Sequence, residues 1–403
     1  MNNNRLPILC NNFTCTGCGA CENSCPLDAI KLEPNEEGFL NPIIDNTKCI
    51  GCLKCEKSCP IINNKKPKTS NRPKVYATWN KNKNIRKESS SGGVFSALAE
   101  AIIEKGGVVC GAAYDNNMNV NHIIINSIDD IKKLRGSKYV QSNINKIFRE
   151  IKKHLENNTL VLFVGTPCQT YGLKSYLKKD YHNLILCSFI CHGVPSQLLF
   201  KKYISWLEKR HKKNICNFEF RNKKIGWTDS VRKIYFNDGT NTITTLKEDS
   251  YYCLFGKRHN THRECCYNCK MKNLNEHSDI TLGDFWGIGE KYNLSHKKAI
   301  IDGISACIIL SSKGDKIFHY CNNENYIFTE PRYYKELQNR NPALYSSAPR
   351  DKTRNTIYKD LKTKKFSEFI KKYYTITYRE YVIYILRKYF SKIIIYIKIL
   401  KLK

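Results

Sequence analysis

Cys15, Cys18, Cys21 and Cys25 precede Pro26, and the same C-x2-C-x2-C-x3-C-P spacing returns at Cys49, Cys52, Cys55 and Cys59 before Pro60. Two such runs predict two [4Fe–4S] clusters, the fourth cysteine of each run crossing over to the other cluster. Cys15, Cys18, Cys21 and Cys59 then form one ligand set, and Cys49, Cys52, Cys55 and Cys25 the second. Gly17, Gly19 and Gly51 let the backbone come close to the sulfides, and Pro26 and Pro60 turn the chain out of the helical conformation. The competing reading is a pair of zinc sites. Zinc favours two C-x2-C or cysteine–histidine pairs with a spacer between them, which the repeated run fits poorly.

The remaining cysteines are scattered. Cys168 lies in "GTPCQ" and Cys191 in "CHGVPS", each just after an apolar run, while "CCYNCK" supplies Cys265, Cys266 and Cys269. Strand-end turns and a C-x2-C pair can converge, so Cys168, Cys191, Cys266 and Cys269 are candidates for a third [4Fe–4S] cluster. Cys265 competes with Cys266 for one ligand position. A structural zinc, a reactive thiol at Cys168 or simple burial are the alternatives. Cys110, Cys187, Cys216, Cys253, Cys307 and Cys321 read as core thiols, and the pattern assigns Cys10 no role.

Two further stretches could touch a ligand. "SSSGGV" (Ser89–Val94) precedes a helical pattern, and free N–H groups at a helix start favour a phosphate. An N-cap with a flexible lead-in explains it equally well. "SDITLGDFWGIG" (Ser278–Gly289) reads as a glycine-punctuated loop around Asp284 and Trp286, pressed against a flat ligand or a neighbouring backbone, or as a buried tryptophan in an ordinary turn. His192, beside Cys191, is a candidate proton donor or a hydrogen-bonded structural residue. No H-E-x-x-H, G-x-S-x-G or Walker loop occurs, and no G-x-G-x-x-G follows a strand. Catalytic residues are not identified.

The elements that must carry these residues alternate. "SSSGGVFSALAEAIIEK" has helical spacing, and "GGVVCGAAY", "LVLFVG", "LILCSFI" and "SACIILSS" read as buried strands. "NFEFRNKKIGW" and "VRKIYFNDGTNTITTL" read as antiparallel strands with a turn at Asp238-Gly239. The expected class is α+β or α/β. A small bacterial-type ferredoxin fold (1–62) comes first, then a polar, proline-punctuated linker (63–73), a larger mixed α/β domain (74–331) and a basic helical extension (332–403).

The chain of 403 residues has room for two or three domains, and its 41% hydrophobic content is ordinary for a globular protein. Its first residues lack the basic start and apolar run of a signal peptide. Twenty cysteines in a cytoplasmic chain point to metal or redox chemistry. The net charge of +31 runs along the whole chain without zinc-finger or RNA-binding signatures, which argues against nucleic acid as a partner. Runs such as Tyr381–Leu386 are far short of the ~20 apolar residues of a membrane span.

"SSSGGVFSALAEAIIEKGGVVCGAAYD", "GSKYVQS", "LVLFVGTPCQTYGL", "CHGVPS", Gly226-Trp227 and "CYNCKMKNLNEHSDITLGDFWGI" follow one another as in the β subunit of coenzyme F420 hydrogenase/dehydrogenase, and the chain resembles that family from Cys15 to about Ser312. The resemblance implies an FAD-containing oxidoreductase that passes electrons between iron–sulfur clusters and the flavin, and on to F420 or another reducible organic substrate. It implies flavin contacts from Ser91, Gly92, Gly93, Lys138, Tyr139, Gln141, Thr166 and Pro167, and it strengthens the third cluster. The implied partners are a small-molecule substrate and a redox partner protein or diffusible electron donor. A non-catalytic electron-transfer subunit serving a partner enzyme, in polysaccharide assembly for example, is the alternative.

Outside the resemblance, residues 351–403 hold fifteen Lys/Arg against four Asp/Glu, a net of +11. Its end, "LRKYFSKIIIYIKILKLK" (386–403), mixes lysines with large apolar residues. It reads either as contact with the inner face of an anionic membrane or as a helix docked on the domain with its lysine stems snorkelling.

Overall fold

The computed structural model describes residues 5–63, 73–272 and 277–374. The expected linker, but for its two ends, lies outside those residues. So does the chain from 375 onward, with the stretch expected to meet a membrane.

Each cysteine run folds as a loop leading into one helical turn, Ala20–Ser24 in the first and Lys54–Lys57 in the second. Both turns are entered through a left-handed residue, Gly19 at φ 83° and Leu53 at φ 56°. Between the runs lies an antiparallel hairpin of β1 (Ile30–Pro34) and β2 (Leu40–Ile44), with Ile30 opposite Ile44.

The larger part is built from β3 (Lys74–Asn80), β4 (Val108–Tyr114), β5 (Val120–Ile125), β6 (Val161–Gly165) and β7 (Leu184–Phe189). It continues with β8 (Ile215–Asn222), β9 (Val231–Phe236) and β10 (Asn241–Thr245), then β11 (Ile280–Asp284), β12 (Ser305–Ile309) and β13 (Ile327–Arg332). Eight strands form one sheet in the order β13-β3-β12-β11-β7-β6-β4-β5. Its centre, β11-β7-β6-β4, is parallel, and antiparallel pairs close both edges. β8, β9 and β10 make a separate antiparallel meander that turns at Gly239.

The central strands are apolar throughout because both faces are covered. Side chains alternate along a strand, so Val109, Leu162 and Ile185 meet helices Val94–Glu104 and Ser312–Asn323 on one face. Val108, Cys110, Val161, Phe163, Leu184 and Leu186 meet helices Ile147–Glu156 and Pro167–Leu177 on the other, and Cys18 and Ala20 join that second layer. The meander packs on helix Gln197–His211 and on helices Arg354–Thr363 and Phe366–Tyr373, sharing a core with Phe39 from the ferredoxin-like hairpin.

Ser278–Gly289 departs from the expected loop. Ile280–Asp284 is β11, parallel to β7 and antiparallel to β12, with Ile280 buried in the sheet and Leu282 half-buried. Gly283 serves strand packing, because a Cβ there would lie 2.5 Å from Ile190 Cδ1. Among the described residues no helix is long and apolar enough to cross a membrane.

Candidate cofactor-binding site

The loops that leave the carboxyl ends of β6, β7 and β11 diverge around a cavity of about 610 Å³. The ends of parallel strands leave such crevices, and this one is of ordinary ligand-site size. Arg135, Lys138, Arg221, Lys270 and Lys272 line it, against one carboxylate, Asp284.

Cysteines gather in three sets, one of them on the cavity wall. Cys25, Cys49, Cys52 and Cys55 line one small pocket on the ferredoxin-like part, together with Leu27, Ile30, Ile50 and Leu53. This brings the fourth cysteine of the first run to the three of the second. Cys21 has its thiol pushed well up, first by burial and then by the charges of Cys18, Cys15 and Cys59. Cys59 thus joins the first run. Backbone N–H groups of Gly17 and Ala29 donate to Cys15 Sγ (3.3 Å) and Cys25 Sγ (3.2 Å), contacts of the kind that tune a cluster. Cys10 Sγ lies 3.6 Å from Cys59 Sγ, a neighbour that its sequence position does not announce.

The third set lies on the cavity wall. Thr166 caps helix Pro167–Leu177 in a reciprocal pairing with Gln169, which puts Cys168 in the first turn, 3.0 Å from Thr166 Oγ1. Burial pushes the Cys168 thiol well up, and the charges of Cys191, Cys269 and Cys18 add to it. Burial and then Cys191 and Cys266 push Cys269 up to about 11. The Cys266 thiol is raised first by its hydrogen bond with Cys265 and then by burial. Cys168, Cys191, Cys266 and Cys269 are therefore neighbours, and Cys265 stands beside Cys266. Four thiols per set, converging from separate elements, fit the donor requirement of a [4Fe–4S] group. Among the described residues no three His, Cys, Asp or Glu side chains converge as a single metal ion would require.

The first set packs on the helix that carries Cys168. Gly172, on helix Pro167–Leu177, packs so closely on Cys18 that a Cβ there would lie 2.9 Å from Cys18 Cβ and 3.0 Å from its Sγ. Gly17, at φ 66°, presses on the larger part in the same way, since a Cβ would fall 2.3 Å from Gln141 Nε2. These glycines serve docking between the two parts. Arg263 fastens the contact. It is almost fully buried and donates to Cys15 O (2.6 Å), Gln141 Oε1 (3.2 Å) and Asn41 Oδ1 (2.9 Å). Arg354 adds a fork of two bonds to the Glu37 carboxylate and a third to His262 O. Neither arginine is distinguishable in the sequence, because their partners lie hundreds of residues away.

Of the residues expected to contact a flavin, Ser91, Gly93, Lys138, Tyr139, Gln141, Thr166 and Pro167 line the cavity. Gly92 sits behind the wall, where a Cβ would meet Thr78 O at 2.4 Å. Ser91 Oγ donates to Ile304 O (3.1 Å), and Gly93 opens helix Val94–Glu104 at φ 85°. The loop before that helix is held by Lys223, whose Nζ donates to the carbonyls of Arg86 (2.5 Å), Ser91 (2.6 Å) and Asp302 (2.5 Å). Lys138 Nζ donates to the carbonyls of Leu134, Arg135 and Gly136, and burial pushes its pKa down to about 7. The carbonyl oxygen of Gln141 is committed to Leu40 N and Arg263.

Opposite these residues, Asp284 accepts from Trp227 Nε1 (2.6 Å) and from Arg221 Nη1 (3.0 Å). Trp227 stacks on Trp286 at 4.6 Å and 4°. Arg221 lies over Trp286 and donates to Tyr139 OH (3.4 Å). The expected Asp284–Trp286 stretch thus holds Arg221 in place at the cavity wall, with Trp227 buried behind it. His192 also faces the cavity, its pKa pushed down to about 4 by burial and then by Lys272.

With this geometry in hand, comparison with known proteins finds three matching family models. Residues 14–62 match a 4Fe–4S dicluster domain. Residues 75–149 and 158–333 match the N-terminal and C-terminal models of the coenzyme F420 hydrogenase/dehydrogenase beta subunit. One subunit of the F(420)H(2) dehydrogenase of Methanosarcina mazei is 24% identical over 80% of this chain and 86% of that protein. Coenzyme F420-dependent sulfite reductase of Methanocaldococcus jannaschii is 24% identical over 78% of this chain, which spans 47% of that longer relative. A structure of the F420-reducing [NiFe] hydrogenase complex from Methanosarcina barkeri, derivatised with xenon, aligns at 18% identity with a TM-score of 0.46, over 73% of this chain and 90% of that one.

Proposed function

The chain belongs to the family of coenzyme F420 hydrogenase/dehydrogenase beta subunits, and on that footing we propose that this iron–sulfur oxidoreductase passes electrons between its cysteine-held clusters and an FAD in the strand-end cavity, and on to F420 or another reducible organic substrate. The observation that carries the proposal is the order of the cysteine sets. The Cys52 set lies outermost, the Cys18 set touches helix Pro167–Leu177, and the Cys168 set forms part of the cavity wall.

FAD would supply the exchange between single electrons and a hydride. The chain's own residues have narrower tasks. The start of helix Val94–Glu104, with Ser91 and Gly93, offers backbone N–H groups to an anionic phosphate, and Lys223 fixes the loop that presents them. Arg221 brings positive charge to the wall, and Trp286 and Tyr139 give it flat apolar faces. The alternative, a subunit that only relays electrons to a partner enzyme, is not favoured by relatives that are named as a dehydrogenase subunit and a sulfite reductase.

The deciding experiment is the iron and flavin content of the anaerobically purified chain, followed by turnover with F420. About twelve irons and one FAD are expected, at four irons per cysteine-bound cube. About eight irons without flavin would overturn the flavin reading and favour the relay. Bound flavin without turnover of any two-electron substrate by the isolated chain would do the same for catalysis.

A further inference from the structure

The second cysteine run meets solvent in an apolar setting. Cys52 is exposed, and next to it Ile50 is 54% exposed. Leu27, at 47%, lines the same small pocket, as does Pro7, which is flanked by Leu6 (47%) and Ile8 (74%). Large apolar side chains scattered singly on a surface need no explanation, but four around one group of thiols mark a place of contact. The first run differs, with Cys15 and Cys18 buried against the larger part.

The charges at the rim have one sign to spare. Asp28 is taken by Lys146 and Arg149, Asp45 by Lys48, and Glu56 by Arg5. Lys54 and Lys57 are exposed and meet no carboxylate among the described residues. An apolar centre with a basic rim, placed over the outermost set of thiols, suits a partner that is acidic and whose own redox group lies close to its surface.

We propose that the surface formed by Leu6, Ile8, Leu27, Ile50, Lys54 and Lys57 docks a small acidic one-electron carrier protein of the iron–sulfur type. This rests on the proposed function for the presence of a cluster at Cys25, Cys49, Cys52 and Cys55. One electron leaves the reduced carrier and enters that cluster, and no atom or proton need accompany it. The same docking serves the reverse flow.

The test uses the full-length, cluster-loaded chain in stopped flow, with a reduced acidic bacterial two-cluster ferredoxin as the protein donor and reduced methyl viologen as the small one. Ile50→Asp and Ile8→Asp are each expected to lower the second-order rate with the ferredoxin about tenfold or more, since each removes a contact and buries a charge. Lys54→Glu with Lys57→Glu should lower it further and flatten its dependence on salt. Rates with the cationic viologen should not fall below about half the parent value, because a small donor needs no shaped interface and added carboxylates attract it. An unchanged ferredoxin rate would overturn the proposal. So would an equal loss with both donors, which would make these residues supports of the cluster. Preference for a basic cytochrome would overturn it too, as would a dimer of the chain that the same substitutions dissociate. Ile8→Asp lies outside the cysteine run and keeps the test valid if Ile50→Asp fails to load iron. Cluster reduction is read directly, so absence of flavin would sink the proposed function and leave this result standing, whereas absence of iron at the second run would remove the premise.

Discussion

Substituting Gly172 by Ala sets two forces of known sign against each other. Gly172 lies inside helix Pro167–Leu177, where exchanging Gly for Ala ordinarily stabilises by about 0.5–1 kcal/mol. Here the added methyl would sit 2.9 Å from Cys18 Cβ, 3.0 Å from Cys18 Sγ and 3.3 Å from Cys18 O. Carbon atoms pack comfortably at about 3.5–4.0 Å, so the ferredoxin-like part would have to retreat by roughly 0.5–1 Å. Overpacking of that kind costs about 1–3 kcal/mol, which leaves a net loss of up to about 2 kcal/mol. The loss falls on one contact, so it should appear as weaker docking of the first cysteine run and slower electron passage toward the cavity. The assay pairs anaerobic thermal unfolding with stopped-flow reduction of a cavity-bound acceptor through the ferredoxin-like part, at unchanged iron content. A rise in melting temperature with electron passage at the parent rate would show that propensity alone operates at Gly172. The close approach of Cys18 to the helix would then be refuted.

Three further outcomes follow from other contacts. Cys168→Ser and Cys269→Ser should each lower the iron content by about four per chain while the ferredoxin-like iron stays, and Cys18→Ser should cost one of the other clusters; iron analysis with low-temperature EPR separates these, and unchanged iron refutes the third site. Lys223→Met removes the ammonium that ties the carbonyls of Arg86, Ser91 and Asp302, and should lower flavin content severalfold with iron intact, as read by flavin release on denaturation. His122 is buried, and burial pushes its pKa down to about 4 from about 6.5. The unfolded chain therefore takes up a proton that the folded one refuses as pH falls below 6.5. Stability is lost through that window, by about 2 kcal/mol at pH 5. His122→Phe should flatten the change in urea midpoint between pH 7 and pH 5, and an equal change in both proteins would refute the assignment.

What could be read from the sequence was local. The two cysteine runs carry their meaning in spacing over a dozen residues, and the central strands around Leu160–Gly165 and Leu184–Ile190 announce themselves as uninterrupted apolar runs. The turn at Asp238-Gly239 is of the same kind. Ile280–Asp284 was obscured because glycines on both sides of Asp284 suggest a loop, whereas Gly283 yields space to Ile190 within a sheet. The contacts that assemble the site were not legible at all. Arg263 bonds to Cys15 across 248 positions, Arg354 to Glu37 across 317, and Arg221 to Asp284 across 63. No periodicity marks such partners. Helices Arg354–Thr363 and Phe366–Tyr373 were read as part of a basic extension because their charge is conspicuous, while the few residues that enter the core, Ile357, Leu361 and Phe369, are not.

Arg263 has a consequence for assembly. Its guanidinium is buried against three neutral oxygens, and among the described residues no carboxylate pairs with it. Such a cation is costly to enclose unless negative charge stands nearby. The groups within reach that can become negative are cysteine thiols, since Arg263 bonds the backbone of Cys15 and its charge acts on Cys266. On the proposed function, metal loading would turn those thiols into thiolates, so that loading and docking would strengthen one another by thermodynamic linkage. Arg263 would then close the two parts together most firmly when the cysteines on both sides of it carry their charge.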